Sequence, residues 1–444
     1  MEIVKSWKPC IGKISNGNEF WDIRCEVRCS STGKLSVLLD DMPLNDNTIR
    51  LYHAANGSNG SVLPYLKLDC FAPDGTRLIS NYTYITELGM PYNAEGALVH
   101  LRGEAARLDV LISPCDSASK ATLKYHTLGM LGFSAIIKEY DDLILRVEAP
   151  HDVQDFDSMS GAVFWMQGRD IKALSAWVEE RDRNTETLLR LISFGQGRIV
   201  RWTVRELWAN DALSSILFVG PNSSPAGLEP TFSHFHMEPV IDLAVSLFDT
   251  GLDQPRNLSV AMEYLAISST YSEVKFLNAV AAFESLLAGN KEDGEMLPSK
   301  VFQSVIRDPI ETLLSESSMA NSLRECDQKF SVKQANDILA VIQAKLGDLN
   351  RRPLRDRLNA FLSQFNVPLA DIPLSVHELL QTRNKIVHGS DNPHPKYSIT
   401  EQAIMMREVL RRTILAMLRF EGQFFSYIRG PEWITFRAPP TTRA

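Results

Sequence analysis

Arg383, Asn384 and His388 place a guanidinium, a carboxamide and an imidazole within the segment 383–388. A guanidinium can hold two phosphoryl oxygens at once, and an imidazole that titrates near neutrality can move a proton. The three groups together are suited to acid–base work on a phosphate ester. Arg383 is the candidate phosphate clamp and His388 the candidate general base or acid. Asn384, one helical turn before His388, is the candidate that orients the imidazole or binds phosphate.

Helical spacing gives the segment its meaning. Val376, Leu380, Arg383 and Val387 fall on one stripe, so an arginine stands where a core pattern wants an apolar residue. His377, Gln381, Asn384 and His388 form the neighbouring polar stripe. A buried, unpaired guanidinium is costly, so Arg383 needs a carboxylate partner, a cleft or an interface. Glu284, at the edge of the stripe Leu277, Val280 and Leu287, can supply that carboxylate across a bundle. Lys385 and His377 are supporting candidates. The same pattern also fits a capping histidine before a C-terminal Gly389 and a structural ion pair, and the residues alone leave both readings open. His394, between Pro393 and Pro395, reads as a loop residue. His234 and His236 lack a third ligand at zinc spacing.

The elements that must position these residues change character along the chain. The first half alternates short β-branched and aromatic runs with Gly/Asn/Ser/Pro turns, which predicts antiparallel strands. The runs are 20–29, 34–39, 48–53, 65–71, 77–85, 98–102, 121–126, 134–137, 143–148, 198–204 and 216–219, with one helix over 171–192. From about residue 236 the periodicity turns helical, predicting helices over 255–270, 274–288, 298–316, 331–345, 353–365, 373–387 and 399–427. Ser398 and Glu401 form a capping-box signature at the start of the last one. The expected organisation is therefore an α+β multidomain chain. A β-rich antiparallel N-terminal domain over 1–235 precedes an all-α bundle over 236–437.

Composition narrows the class. The chain has 444 residues, 44% hydrophobic and 23% charged, which excludes a disordered or collagen-like protein. Its net charge of -8 argues against a uniformly basic nucleic-acid coat. Residues 351–430 run against that average, with Arg351, Arg352, Arg355 and Arg357 before one helix and Arg407, Arg411 and Arg412 along another. That predicts a local basic face for phosphates. Cys25 and Cys29 share one face of a strand and read as core thiols rather than a zinc site. No apolar signal core or membrane-length stretch is present in the sequence, so a cytoplasmic protein without a membrane partner is expected. No phosphate loop, nucleophile elbow or His-Glu-x-x-His is found.

Arg383-Asn384-Lys385-Ile386-Val387-His388-Gly389 resembles the signature of HEPN domains, in which an arginine, a polar residue and a histidine end the penultimate helix. The second half is similar to the ApeA-like HEPN group, and the first half resembles, by architecture, the domain that accompanies it in ApeA-type phage-defence proteins. The resemblance implies a HEPN helical bundle and a metal-independent endoribonuclease that acts in abortive infection, with no cofactor and no metal. Attack by the RNA 2′-hydroxyl would leave a 2′,3′-cyclic phosphate and a 5′-hydroxyl. RNA, with tRNA among the candidate targets, is the implied substrate. A homodimer or higher homo-oligomer with a composite site is the implied assembly, and a phage-derived trigger sensed or restrained through the N-terminal domain is the implied control. The alternative is a non-catalytic HEPN module that binds RNA or nucleotide and dimerises beside a ligand-binding β domain.

Overall fold

The computed structural model describes residues 3–437 except 18, 31–32, 41, 44, 57–64, 90–97, 150–158, 221–228, 234–236, 252–256, 268, 289–294, 316, 327–330, 389–393 and 395. The chain forms two compact units, residues 1–251 with 266–268 and residues 252–265 with 269–444.

The first unit is built on β1 (Ile3–Ser15), β2 (Phe20–Ser30), β3 (Leu35–Leu39), β4 (Met42–Pro43), β5 (Leu66–Phe71), β6 (Arg77–Gly89) and β7 (Leu98–Ala105). It continues through β8 (Arg107–Leu111), β9 (Ala121–Leu128), β10 (Phe133–Tyr140), β11 (Leu143–Ala149), β12 (Met159–Gln167), β13 (Arg201–Ala209) and β14 (Ala212–Val219). These join in the order β10-β11-β12-β9-β13-β14-β8-β6-β5-β1-β2-β3-β7-β4. A further pairing of β6 with β7 closes β6-β5-β1-β2-β3-β7 into a barrel. β6 serves both parts: Arg77–Ile79 pair with β8 and the stretch from Thr83 pairs with β7.

Period-two alternation fills the barrel. Trp21, Ile23, Cys25, Val27 and Cys29 of β2 are buried while their neighbours are less so. Cys10, Cys25, Cys29 and Cys70 are buried free thiols, and burial pushes the Cys29 thiol up to about 12. They are core residues, as the four-residue offset of Cys25 and Cys29 predicts.

Two features of this unit depart from the sequence expectation. The run 48–53 is not a strand but part of helix α1 (Asp46–Asn56). Asn45 starts it, its Oδ1 accepting the Thr48 amide at 3.0 Å, and Leu51 and Ala55, four apart, are fully buried. β1, β4, β8 and β12 are strands where none is expected; β4 is only two residues long, and β1 and β12 mix charged, small or polar residues into their alternation. The expected helix 171–192 is α2 (Leu174–Gln196), lying on one face of the sheet half β14-β13-β9-β12-β11-β10. Trp165 Nε1 donates to Thr185 Oγ1 at 2.8 Å, and Tyr125 Oη to Asp182 at 2.7 Å, so two strands are tied to that helix. Helix α3 (Glu238–Ser246) also belongs here, since Lys138 pairs with Glu238 and Asp242.

The second unit is mainly helical: α4 (Leu258–Ala266), α5 (Ser272–Ala288), α6 (Ser299–Phe302), α7 (Asp308–Ser315), α8 (Ser317–Cys326), α9 (Val332–Lys345), α10 (Leu354–Gln364), α11 (Val376–Val387) and α12 (Ile399–Met417). A π-helical turn at Gln303–Arg307 interrupts the expected helix 298–316. α12 begins at the expected capping box, with Ser398 Oγ accepting the Glu401 amide and Glu401 accepting the Ser398 amide. It ends ten residues before the expected Tyr427. Arg419 takes a left-handed φ of 54° and Gly422 a φ of 149°, and the chain turns into a hairpin of β15 (Gly422–Ser426) and β16 (Glu432–Phe436). Phe424, whose spacing suggests helix, instead meets Phe436 edge to face at 5.9 Å. The C-terminal unit is thus helical with one β-hairpin, not all-α. No helix among the described residues is long and apolar enough to cross a membrane.

Candidate functional site

α11 opens on a capping box of its own. Ser375 Oγ accepts the Glu378 amide at 3.3 Å, and Glu378 Oε2 accepts the Ser375 amide at 2.8 Å. The Ser375 hydroxyl, donating to Glu378 Oε2 at 2.7 Å, and the Ser375 amide hold the Glu378 carboxyl below the usual range. Val376, Leu379, Leu380 and Thr382 are buried and seat the first two turns. Thr382 Oγ1 donates to Gln402 Oε1 at 2.5 Å, and Gln402, fully buried on α12, donates its Nε2 to Tyr397 O at 2.8 Å. The residue just before Arg383 is therefore fixed from a second helix.

Past Thr382 the helix leaves the core. Val387, on the expected core stripe, is 54% exposed, which corrects that expectation. Arg383 is half-buried, and Asn384, Lys385 and His388 are exposed. The Arg383 guanidinium lies 3.5 Å from Glu284 Oε1 on α5, so the suspected cross-bundle pair forms. Its Nη1 also donates to Asn384 Oδ1 at 3.3 Å. His388 ends α11 with φ -93° and ψ 8°, its amide donating to Asn384 O at 3.1 Å. Arg383, Asn384 and Glu284 thus form one polar cluster, and His388 stands one turn further along the same helix. His377 sits two turns back, its Nε2 3.0 Å from Gln381 Nε2. Gly389, the expected cap, and His234 and His236 lie outside the described residues.

This arrangement can bind an anion and move a proton. Arg383 presents a guanidinium whose carboxylate neighbour, at 3.5 Å and 47% exposed, leaves it room to rotate toward another acceptor. His388 presents its ring to solvent. His394 is engaged locally: its Nδ1 accepts the Lys396 amide at 3.2 Å and its ring lies tilted against Tyr397, centroids 5.4 Å apart.

The expected basic face is only partly present. Arg407, Arg411 and Arg412 are 5%, 1% and 2% exposed and do not face solvent. Glu408, fully buried, accepts from Arg411 at 2.6 Å and from Arg412 at 3.0 Å. Arg412 also grips Asp371 with two bonds of 2.5 and 2.7 Å, and Arg407 donates to Leu265 O at 2.7 Å. These cations neutralise and crosslink the bundle, so they cannot serve phosphates. Arg357 donates to Leu287 O, and Arg355 pairs with Asp356, while Arg351, Arg352 and Arg355 are exposed.

Thr382 and Gln402 are the positioning residues that sequence reasoning misses. Their contact spans 20 residues and two helices, and no spacing rule within one helix reports it. Among the described residues no group of three or more His, Cys, Asp or Glu could hold a metal ion.

Comparison with protein-family models, with curated proteins and with solved structures found no match.

Proposed function

We propose that the protein is a metal-independent endoribonuclease of the HEPN type, acting as an abortive-infection effector. What supports this reading is one observation: Arg383 and His388 stand at the solvent-facing end of α11 rather than sealed in the core. In the proposed step, His388 takes the proton from an RNA 2′-hydroxyl. The 2′-oxygen forms its bond to phosphorus and the P–O5′ bond breaks, with the leaving oxygen taking a proton from an acid. Arg383 holds the non-bridging oxygens as negative charge builds up on them. Asn384 and Glu284 set the guanidinium's position. A second copy of the chain supplies the facing motif, so that one imidazole acts as base and the other as acid. The N-terminal unit senses a trigger or restrains the site, and tRNA is a candidate substrate.

A single assay decides it. RNA is incubated in EDTA with wild type, Arg383→Ala and His388→Ala, and the product ends are identified. Cleavage to cyclic-phosphate and 5′-hydroxyl ends, lost in both variants, is the expected result. Equal cleavage by all three proteins overturns it. A second reading, a non-catalytic module for RNA or nucleotide, has its own observation: Arg383 is already engaged by Glu284 and Asn384. Retained RNA binding without cleavage by wild type supports that one.

A further inference from the structure

The sheet half β10-β11-β12-β9-β13 has α2 on one face, and its other face forms an open groove of about 630 Å3. That volume lies within the ~300–1,000 Å3 of small-molecule sites. Register defines its floor. Glu139 opposes Ile144, Ile144 opposes Met166, Met166 opposes Thr122 and Thr122 opposes Trp208. Opposed residues share a face, so these five side chains run as one row across five strands. The next row is Arg146, Phe164, Lys124 and Glu206. Four strand steps of roughly 4.8 Å put Glu139 about 19 Å from Trp208.

The row is apolar in the middle and anionic at its ends. At one end Glu139 and Asp141 are exposed carboxylates with no ion-pair partner among the described residues. At the other end are Glu206 and Asp211, the latter paired with Lys120. His126, 3.3 Å away, and the Trp208 indole N–H, at 3.2 Å, hold the Glu206 carboxyl down at about 2. That bond also fixes the Trp208 ring, which is 37% exposed and offers a face to a cation. The groove already shows its preference: Lys124 and Arg146 both sit over the Phe164 ring, at 5.5 and 5.6 Å. The groove lining carries five carboxylates against two lysines. Asp211 is paired with Lys120, Asp142 with Arg169 and Glu206 with His126, so Glu139 and Asp141 are the carboxylates left to an added cation.

We infer that this groove binds a linear polyamine. Methylene segments lie along Ile144 and Met166, one terminal ammonium meets Glu139 and Asp141, and another lies against the Trp208 ring. The inference stands apart from the reading of Arg383 and His388, because it concerns the other unit and no reaction.

The test is calorimetric titration of the full-length protein with spermine, in the presence and absence of magnesium chloride at matched charge. Saturable one-to-one binding that magnesium does not displace is expected. Glu139→Gln/Asp141→Asn weakens it about tenfold or more, and Trp208→Leu about fivefold. Asp22→Asn/Glu421→Gln, with the same change in charge elsewhere, leaves it unchanged. Urea midpoints confirm that each variant is folded, and the carboxamide pair, being at exposed sites, carries the test if Trp208→Leu is not. Absence of saturable binding, displacement by magnesium, or equal loss in the control pair overturns the inference. So does tetralysine binding where spermine fails, which would mark a peptide groove instead.

Discussion

Two groups of arginines sit in the same helical unit and have opposite fates. On α12, Arg411 and Arg412 are buried against Glu408 and Asp371, with bonds of 2.5–3.0 Å. On α11, Arg383 is half-buried with a single carboxylate at 3.5 Å. The first group spends its charge on neighbours inside the fold. The second keeps a guanidinium that another anion can recruit. Positive charge in a sequence is therefore not a measure of nucleic-acid surface; the partners decide.

The sharpest way to break this contrast is Arg412→Ala. It leaves Asp371 without its cation and the buried Glu408 with Arg411 alone, and stability falls by ~3 kcal/mol in urea unfolding. Arg383→Ala, by contrast, costs under ~1 kcal/mol because its pair is partly solvated. Equal losses would erase the distinction. The next effect is functional. On the proposed ribonuclease function, His388→Ala lowers RNA cleavage by ~10²–10⁴-fold at a stability change within ~0.5 kcal/mol. A large loss of stability there would make His388 a structural cap. Smaller still, Thr382→Val removes the donor to the buried Gln402 carboxamide and costs ~1–3 kcal/mol. Because Thr382 precedes Arg383, cleavage should fall with it, and intact cleavage in the folded variant would separate the anchor from the site.

The smallest effect is in acid. Arg412 holds the Asp371 carboxyl below the ordinary carboxylate range. A depressed acid contributes stability above its unfolded pKa, ~3.9, and loses it as the pH falls through its lower folded value. The urea midpoint therefore drops as the pH is taken down from about 5, and Asp371→Asn makes that drop shallower. An unchanged slope would remove Asp371 from the account of the buried cluster.

How much of this is legible in the sequence depends on how local the cause is. Alternation in Phe20–Cys29 marks a strand, and Ser398 with Glu401 marks the start of α12, because each signal lies within one element. Barrel closure rests on β6 meeting β7 as well as β5 and β8, and nothing local announces it. The run 48–53 misleads because apolar residues at 49 and 51 alternate, while Asn45 caps a helix just upstream. Phe424 and Phe425 continue the α12 spacing, but the left-handed turn at Arg419 stops the helix first. In the candidate site the α11 stripes and the Glu284 pair are readable from offsets. The 54% exposure of Val387 is not, since burial depends on packing between helices and not on spacing within one. The fate of Arg411 and Arg412 had a usable signal in Glu408, three and four residues before them.

The fourteen-stranded sheet ends on two strands with different defences. β4 is two residues long and one of them is Pro43, which has no amide to offer a new strand. β10 is longer, but its register slips between Phe133 and Ile136, and Lys138 is drawn to Glu238 and Asp242. A bulge and a lysine are the usual obstacles to strand addition. Pro43 and Lys138 thus oppose the stacking of copies that the open edges of so large a sheet would otherwise invite.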